Sequence, residues 1–338
     1  VFLEDGRMLV SGKVGRGDSG QDVAVRRYLE DGSLDSDFGK RGLFRHDLGF
    51  SDRGGSIVLT SDGRIAVQAA SSKQRDRNLT AAADGTLLAV EGHGEYGDEG
   101  SSLISLDRKL RKRTIRDLGE PADWSGIYSP FSGNGFYFFA EGNSGGLEQV
   151  LRILADGTID PAFGQDGSAT CAGDPLEHAG GRRSISVDSA GRLLVTSPRL
   201  DCQLMRLMPD GSFDSSFAGH GAVELRLDGG ESGFAVEVLP NGRILIAGGN
   251  NKRSVVVRLQ ADDRLDRKFG KGGIASPRLK ERPRYGKLNV TYTPQREATS
   301  LAVLPGGGIA VAAAGSRDRP LTNHDFALAK FKAGKKCR

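Results

Sequence analysis

The chain keeps repeating one phrase: an apolar strand, a short Gly-bearing turn and a second apolar strand. It reads VFLEDGRMLVSG from Val1, IVLTSDGRIAVQ from Ile57, LTAAADGTLLAVEG from Leu79, ISVDSAGRLLVTS from Ile185, AVEVLPNGRILIAGG from Ala235 and LAVLPGGGIAVAAAG from Leu301. Copies of such a unit must stack or close on one another, because one copy cannot bury its own apolar faces. Asp-Gly, Asn-Gly and Gly-Gly tolerate the positive φ that a two-residue hairpin turn demands. No stretch sustains the three- and four-residue apolar spacing of a helix over about 11 positions, so the sequence predicts an all-β chain.

Aligned on their turn glycines, Gly6, Gly63, Gly85, Gly135, Gly191, Gly242 and Gly307 mark seven hairpins. Most intervals are roughly 50–65 residues, which suits four short strands with their loops, the size of one propeller blade. The interval from Gly63 to Gly85 is less than half as long. The expected fold is therefore a single β-propeller, seven-bladed with one degenerate blade around Ser51 to Asn78; six blades is the alternative. Within a unit the expected order is innermost strand (Ala235 to Leu239), second (Arg243 to Ala247), third (Ser254 to Leu259) and an outer strand such as Ala222 to Leu227.

A second phrase follows four of the hairpins: VAVRRYLEDGSLDSDFGKRG from Val23, VLRILADGTIDPAFGQDG from Val150, LMRLMPDGSFDSSFAGHG from Leu204 and VVVRLQADDRLDRKFGKGG from Val255. An aliphatic strand, an Asp-Gly turn and an L-D-x-x-F-G close resemble the bacterial delta-60 repeat, a propeller-type repeat, over nearly the whole chain. The resemblance implies fold and says little about function. Phe38, Phe163, Phe217 and Phe269 are expected to plug the space between neighbouring blades, each burial contributing roughly 1.5–3 kcal/mol. Asp35, Asp160, Asp214 and Asp266 are expected to tie the connecting turn by a side-chain to backbone hydrogen bond. A reaction is rarely performed four times over on one rim, so these carboxylates read as structural.

Composition narrows the function. A chain of 338 residues with 49 Gly, 37% hydrophobic and 27% charged residues reads as one soluble domain, residues 1–338, rich in turns. No run approaches the roughly 18 apolar residues of a membrane helix. A formal charge of +4 argues against a nucleic-acid binder, which concentrates Lys and Arg on one face beside stacking aromatics. The basic stretches Arg278 to Lys287 and Lys330 to Arg338 read as a solvated loop and terminus. The sequence opens at Val1 inside an expected innermost strand and closes after an expected third strand, so residues outside it are expected to complete the ring.

Candidate chemistry is sparse. There is no G-x-S-x-G elbow, P-loop, H-E-x-x-H or C-x-x-C, and no catalytic residue is assigned. Cys171 and Cys202 lie in neighbouring copies of the edge region and form a disulfide candidate, which would imply an oxidising compartment; buried free thiols are the alternative, and Cys337 is left over. Arg16-Gly17-Asp18 reads as a chance tripeptide, and Glu95, Asp98 and Glu99 near His93 match no calcium-loop spacing. One pattern does recur: an acid in the connection leading into an innermost strand, at Asp52, Asp123, Glu177, Glu231 and Glu297, with Trp124 and His178 beside it. In a propeller these connections share one face, so the acids form a candidate ligand-binding ring at the axial mouth, able to take a divalent cation such as calcium. Solvated turn caps are the simpler reading, because unpaired like charges repel.

The function that follows is a non-enzymatic binding or scaffolding propeller of a bacterium, periplasmic, secreted or at the cell surface. It would recognise a protein or an envelope polymer, alone or within a larger assembly, and need no cofactor beyond a candidate calcium ion. The alternative is a metal-dependent hydrolase or lactonase-like enzyme at the axial mouth, although no convergent Asn and Asp set opens the inner strands. Both readings lean on fold analogy.

Overall fold

The computed structural model describes residues 1, 3, 5–15, 21–47, 53–59, 65–70, 77–81, 87–93, 100–106, 112–119, 126–130, 136–141, 148–154, 158–170, 184–196, 204–223, 232–250, 253–276, 297–303, 308–316 and 324–332. Every regular element among them is a β-strand. The first sheet joins β1 (Met8–Gly15), β2 (Gln21–Tyr28) and β3 (Leu43–His46); the second joins β4 (Arg53–Leu59) and β5 (Ile65–Ala70). The third holds β6 (Arg77–Ala81), β7 (Leu87–His93), β8 (Gly100–Leu106) and β9 (Lys112–Gly119), and the fourth β10 (Gly126–Pro130), β11 (Phe136–Glu141), β12 (Glu148–Ile153) and β13 (Ser168–Thr170). The fifth comprises β14 (Ser184–Val187), β15 (Leu193–Thr196), β16 (Leu204–Leu207) and β17 (Ala222–Val223). The sixth comprises β18 (Ser232–Val238), β19 (Ile244–Asn250), β20 (Arg253–Leu259) and β21 (Ile274–Ala275), and the seventh β22 (Glu297–Val303), β23 (Gly308–Ser316) and β24 (His324–Lys332).

Each sheet is an antiparallel meander, the pairing that short connections permit. The sheets then pack in chain order: β1 on β4, β4 on β6, β6 on β10, β10 on β14, β14 on β18 and β18 on β22. Strand β24 touches β1, which returns the last sheet to the first. A cyclic order of small antiparallel sheets is a β-propeller. Among the described residues no helix is long and apolar enough to cross a membrane.

The strands stand close to where the repeat puts them, with β18, β19 and β20 as innermost, second and third. In the first sheet, the Val1 amino group donates to the Leu9 carbonyl at 3.0 Å and the Leu9 amide returns to Val1 at 2.8 Å. Val1 and Leu3 thus belong to the first hairpin, and β1 takes the second position. The second sheet is the reduced one, with two strands among the described residues, as the short interval after Gly63 implies. One alignment is corrected. The pairs Val187↔Leu193, Val238↔Ile244 and Val303↔Ile309 close their hairpins two residues after Gly191, Gly242 and Gly307, and the matching pair in the fourth sheet, Pro130↔Phe136, aligns Asn134 rather than Gly135 with those glycines. SGNG offers two glycines at that turn, and only the strand register chooses between them.

The core lies between sheets, not within any one of them. Phe163 of the fourth sheet packs with Ile185, Val195 and Leu207 of the fifth, and Phe217 of the fifth packs with Val236, Ile246 and Leu259 of the sixth. Phe269 of the sixth packs with Leu301, Ile309 and Val311 of the seventh. Adjacent residues face opposite neighbours: Leu193 belongs to the fourth–fifth seam and Leu194 to the fifth–sixth. A sheet buried on both sides needs continuous apolar runs, which LLV and VVV supply.

A meander also gives the molecule two ends. Hairpin turns and third-to-outer connections share one end, the turn face; second-to-third connections and sheet-to-sheet connections share the other, the connection face. On the turn face the third-to-outer connections of the first, fourth, fifth and sixth sheets are 29–42, 154–167, 208–221 and 260–273, all of one length. Connections on the other face run from the pair 251–252 to the long stretch 276–296.

Candidate functional site

The constant length of these four connections, against the much shorter 107–111 of the third sheet, has a chemical cause. Arg27, Arg152, Arg206 and Arg258 are each the penultimate residue of a third strand, at one fixed offset before Asp35, Asp160, Asp214 and Asp266, and the Phe follows each Asp at another. Each Arg Nε donates to its Asp Oδ2, at 2.7, 2.8, 2.7 and 2.9 Å respectively. Each Asp Oδ1 accepts the amide two residues on, at 3.0–3.2 Å, from Asp37, Ala162, Ser216 and Lys268. The guanidinium then lies over the Phe ring, 4.7, 5.1, 4.4 and 4.5 Å from its centroid. One carboxylate therefore fixes the turn with one oxygen and the strand with the other, while the cation it holds covers the aromatic plug. Phe163, Phe217 and Phe269 are buried as expected, and Phe38 is half-buried.

A second arginine joins in three sheets. It follows the hairpin glycine: Arg7, Arg192 and Arg243 approach Asp35, Asp214 and Asp266 at 3.6, 3.4 and 3.1 Å. The fourth sheet has Gly135 in that sequence position and no such charge. Burial pushes the Asp214 carboxyl up, but the Ser216 hydroxyl and amide and the Arg206 guanidinium outweigh it and hold it below the ordinary carboxylate range. Asp35 is lowered in the same way: burial opposes, and Arg27, the Asp37 amide and Arg7 prevail.

The arrangement also reaches across seams. Arg152 Nη1 donates to the Pro209 carbonyl of the next sheet at 2.6 Å, and Arg206 Nη1 to the Ala261 carbonyl of the next at 2.6 Å. Pro209 and Ala261 are matching residues, the second of each third-to-outer connection. Nearer the axis, the Val236 and Val238 amides of β18 donate to the Ser184 and Ser186 hydroxyls of β14, both at 3.3 Å. Register makes Glu237 the sixth-sheet counterpart of Ser186, opposite Leu245 as Ser186 is opposite Leu194. Burial pushes the Glu237 carboxyl up to about 7.

These repeated side chains account for charges that would otherwise suggest a reaction centre. Their chemistry is assembly. The Asp-to-turn bond is legible in the sequence; sequence reasoning passes over the Arg, although its offsets from the Asp and the Phe are the same in all four copies.

Of the axial candidates, Glu297 opens β22 opposite Ala314. Asp52, Asp123, Trp124, Glu177, His178 and Glu231 lie outside the described residues, as do Cys171, Cys202 and Cys337, Arg16-Gly17-Asp18, and Glu95, Asp98 and Glu99. In sequence, Asp52 and Glu231 immediately precede β4 and β18, while Glu177 stands further ahead of β14. Among the described residues no group of three or more His, Cys, Asp or Glu side chains is placed to hold a metal ion.

Comparison with known proteins agrees on architecture. A family model described as a domain of unknown function, DUF5122 β-propeller, matches residues 3–38 and 191–217. Those segments hold the first hairpin with its Arg–Asp–Phe set and the fifth-sheet counterpart from Gly191 to Phe217. The chain is thus supported as a propeller-type repeat protein. No curated protein matches it. Among solved structures, the PQQ-bound aldose sugar dehydrogenase of Streptomyces coelicolor is similar over 97% of this chain and 99% of its own, at 12% identity and a TM-score of 0.49. A gluconolactonase of Xanthomonas campestris covers 95% and 87% at 11% identity and 0.46, and the Malassezia sympodialis allergen Mala s 1 covers 97% and 96% at 13% and 0.46. Likenesses of this strength carry no residue, cofactor or activity to this chain.

Proposed function

We propose that the protein is a binding or scaffolding propeller that recognises a protein or an envelope polymer through its connection face. The observation that supports this reading is the contrast in loop length: the third-to-outer connections of the four latched sheets are equal, while the connection face carries, beside short connections such as 47–52 and 94–99, the long stretches 171–183 and 276–296. A loop that must offer its carbonyl to a neighbour's arginine, as 208–221 and 260–273 do, cannot vary. Loops released from that duty can, and loops on a rigid frame are where recognition is placed. The acids Asp52, Asp123, Glu177 and Glu231, with Trp124 and His178, belong in sequence to connections on that face, Glu297 opens the strand after the last of them, and Arg278, Lys280, Arg282, Arg284 and Lys287 add positive charge to the longest.

The delta-60 resemblance and a periplasmic, secreted or surface location are part of the same proposal, with a Cys171–Cys202 disulfide as the sign of export. Cosedimentation of the full chain with isolated bacterial envelope tests it. Retention is expected for the parent, reduced for the Glu177→Gln, Glu231→Gln double variant, and kept for Asp31→Asn on the turn face. Equal behaviour of the two variants, or no retention at all, would remove the reading. A calcium-dependent melting temperature lost in the double variant would instead favour a metal-holding axial mouth and the enzymatic alternative.

A further inference from the structure

The fifth and sixth sheets meet on the turn face through the same loops as the fourth and fifth, yet there the pattern breaks twice. At the fourth–fifth seam the Gly164 amide donates to the Asp210 carbonyl at 2.6 Å. Gly211 sits so close that a Cβ on it would lie 2.5 Å from the Gly164 nitrogen and 3.0 Å from the Phe163 ring. Neither position has room for a side chain. At the fifth–sixth seam the same two positions are Ala218 and Asp263, with φ of 51° and 77°, where Gly164 and Gly211 have 62° and 86°. Both non-glycine residues are therefore held in the left-handed region, which glycine occupies without strain.

The loop after Phe217 is also rebuilt. The fourth and sixth sheets close this loop with the bridges Gln165↔Ser168 and Lys271↔Ile274. The fifth turns through Gly219 and His220, whose amide donates to the Phe217 carbonyl at 3.2 Å. An open cleft of about 630 Å³ lies beside this loop. Ala218 and Val223 give it an apolar side; Ser216, His220 and Asp263 give it a polar one.

The nearby cations are already engaged. Arg206 binds Asp214, the Ser216 hydroxyl and the Ala261 carbonyl, and Arg264 binds Asp262. Asp263 forms no ion pair with the described residues, although it contributes to the potential felt by Arg264.

We propose that this cleft binds an organic cation with an apolar stem, its ammonium or guanidinium on the Asp263 carboxylate and its methylenes along Ala218 and Val223. An Asp where glycine would sit without strain then has a reason. The site lies on the turn face and does not depend on the connection-face reading. A basic side chain of a protein partner and a free alkylamine share this chemistry.

The test titrates the full chain with N-acetyl-lysine amide, 1,5-diaminopentane and the neutral N-acetyl-norleucine amide, following amide shifts at residues 216–223 and 260–264. Saturable shifts are expected with the lysine derivative and none with the norleucine one. Saturation by the lysine derivative alone points to a partner's side chain, and saturation by both amines to a free amine. Asp263→Asn keeps a residue that tolerates positive φ and should weaken binding by about tenfold or more. Asp263→Gly should weaken it equally while raising the melting temperature. No saturable shift in the parent, or unchanged affinity in both variants, overturns the proposal.

Discussion

The two ends of this molecule are made from the same strands and obey different rules. On the turn face four connections have identical length and repeat one Arg–Asp–Phe arrangement. On the connection face the lengths run from the pair 251–252 to the stretch 276–296, although 47–52, 71–76, 94–99, 120–125 and 142–147 are equal, and an acid recurs at variable offset. The difference teaches that uniformity in a repeat marks where copies touch. The Arg152 and Arg206 guanidiniums must find a carbonyl on the neighbouring sheet at 2.6 Å, and that demand fixes the loop that offers it.

The largest effect should come from the turn-face plug. Phe217→Ala empties a fully buried site between the fifth and sixth sheets and removes the ring under Arg206. Denaturant unfolding should show a loss of about 3–5 kcal/mol. A loss below about 1 kcal/mol would mean the seam collapses freely and the uniform loops are not needed.

Next comes Glu237, on the wall between the two ends. Its value in the folded protein, about 7, lies above its ordinary 4.5, so the proton is held more tightly folded than unfolded. Its contribution is fully present below about 4.5 and lost as pH rises through about 7, a change of roughly 3 kcal/mol. Melting temperature should fall over that window, and Glu237→Gln should flatten the fall.

A smaller effect separates two versions of the latch. Asp214→Asn leaves Arg206, which is 4% exposed, without its anionic partner and also loses Arg192, so about 1–3 kcal/mol should go. Asp160→Asn should cost less, since its side chain is 14% exposed and no hairpin arginine reaches it. The smallest effects belong to the connection face: Glu231→Gln and Asp123→Asn should stay within about 0.5 kcal/mol of the parent while altering envelope retention. Large destabilisation by either would erase the distinction between the two ends.

Much of this fold was legible because hairpin chemistry is local. Asp-Gly and Asn-Gly declare where the chain turns, with Gly6, Gly191 and Gly242 at φ of 81°, 77° and 78°. The expected two-residue turn is corrected: the Leu239 amide donates to the Arg243 carbonyl at 2.8 Å, so Pro240, Asn241 and Gly242 form the loop and only the glycine has positive φ. Phe163, Phe217 and Phe269 were readable as plugs because the residues around them keep register. The arginines were not, since their partners lie across a turn in the following loop and an Arg near a strand end looks like any solvated charge. Contacts to the Pro209 and Ala261 carbonyls were beyond sequence reasoning, because a backbone acceptor leaves no mark on residue identity. Asp263 hid for a related reason: DD in place of DG reads as drift in a repeat, and its strain is a property of φ alone.

The arginine-to-carbonyl contact gives every unit that makes it a head and a tail. A sheet reaches forward with a side chain and is reached from behind through its backbone, so adjacent units meet through unlike surfaces, the kind of contact that makes rings when its rotation closes and open arrays when it does not. Because the receiving group is a main-chain oxygen, almost any sequence can follow any other in the order. Ring size is then dictated by the angle between neighbours, and a whole unit gained or lost by duplication leaves each remaining joint chemically complete.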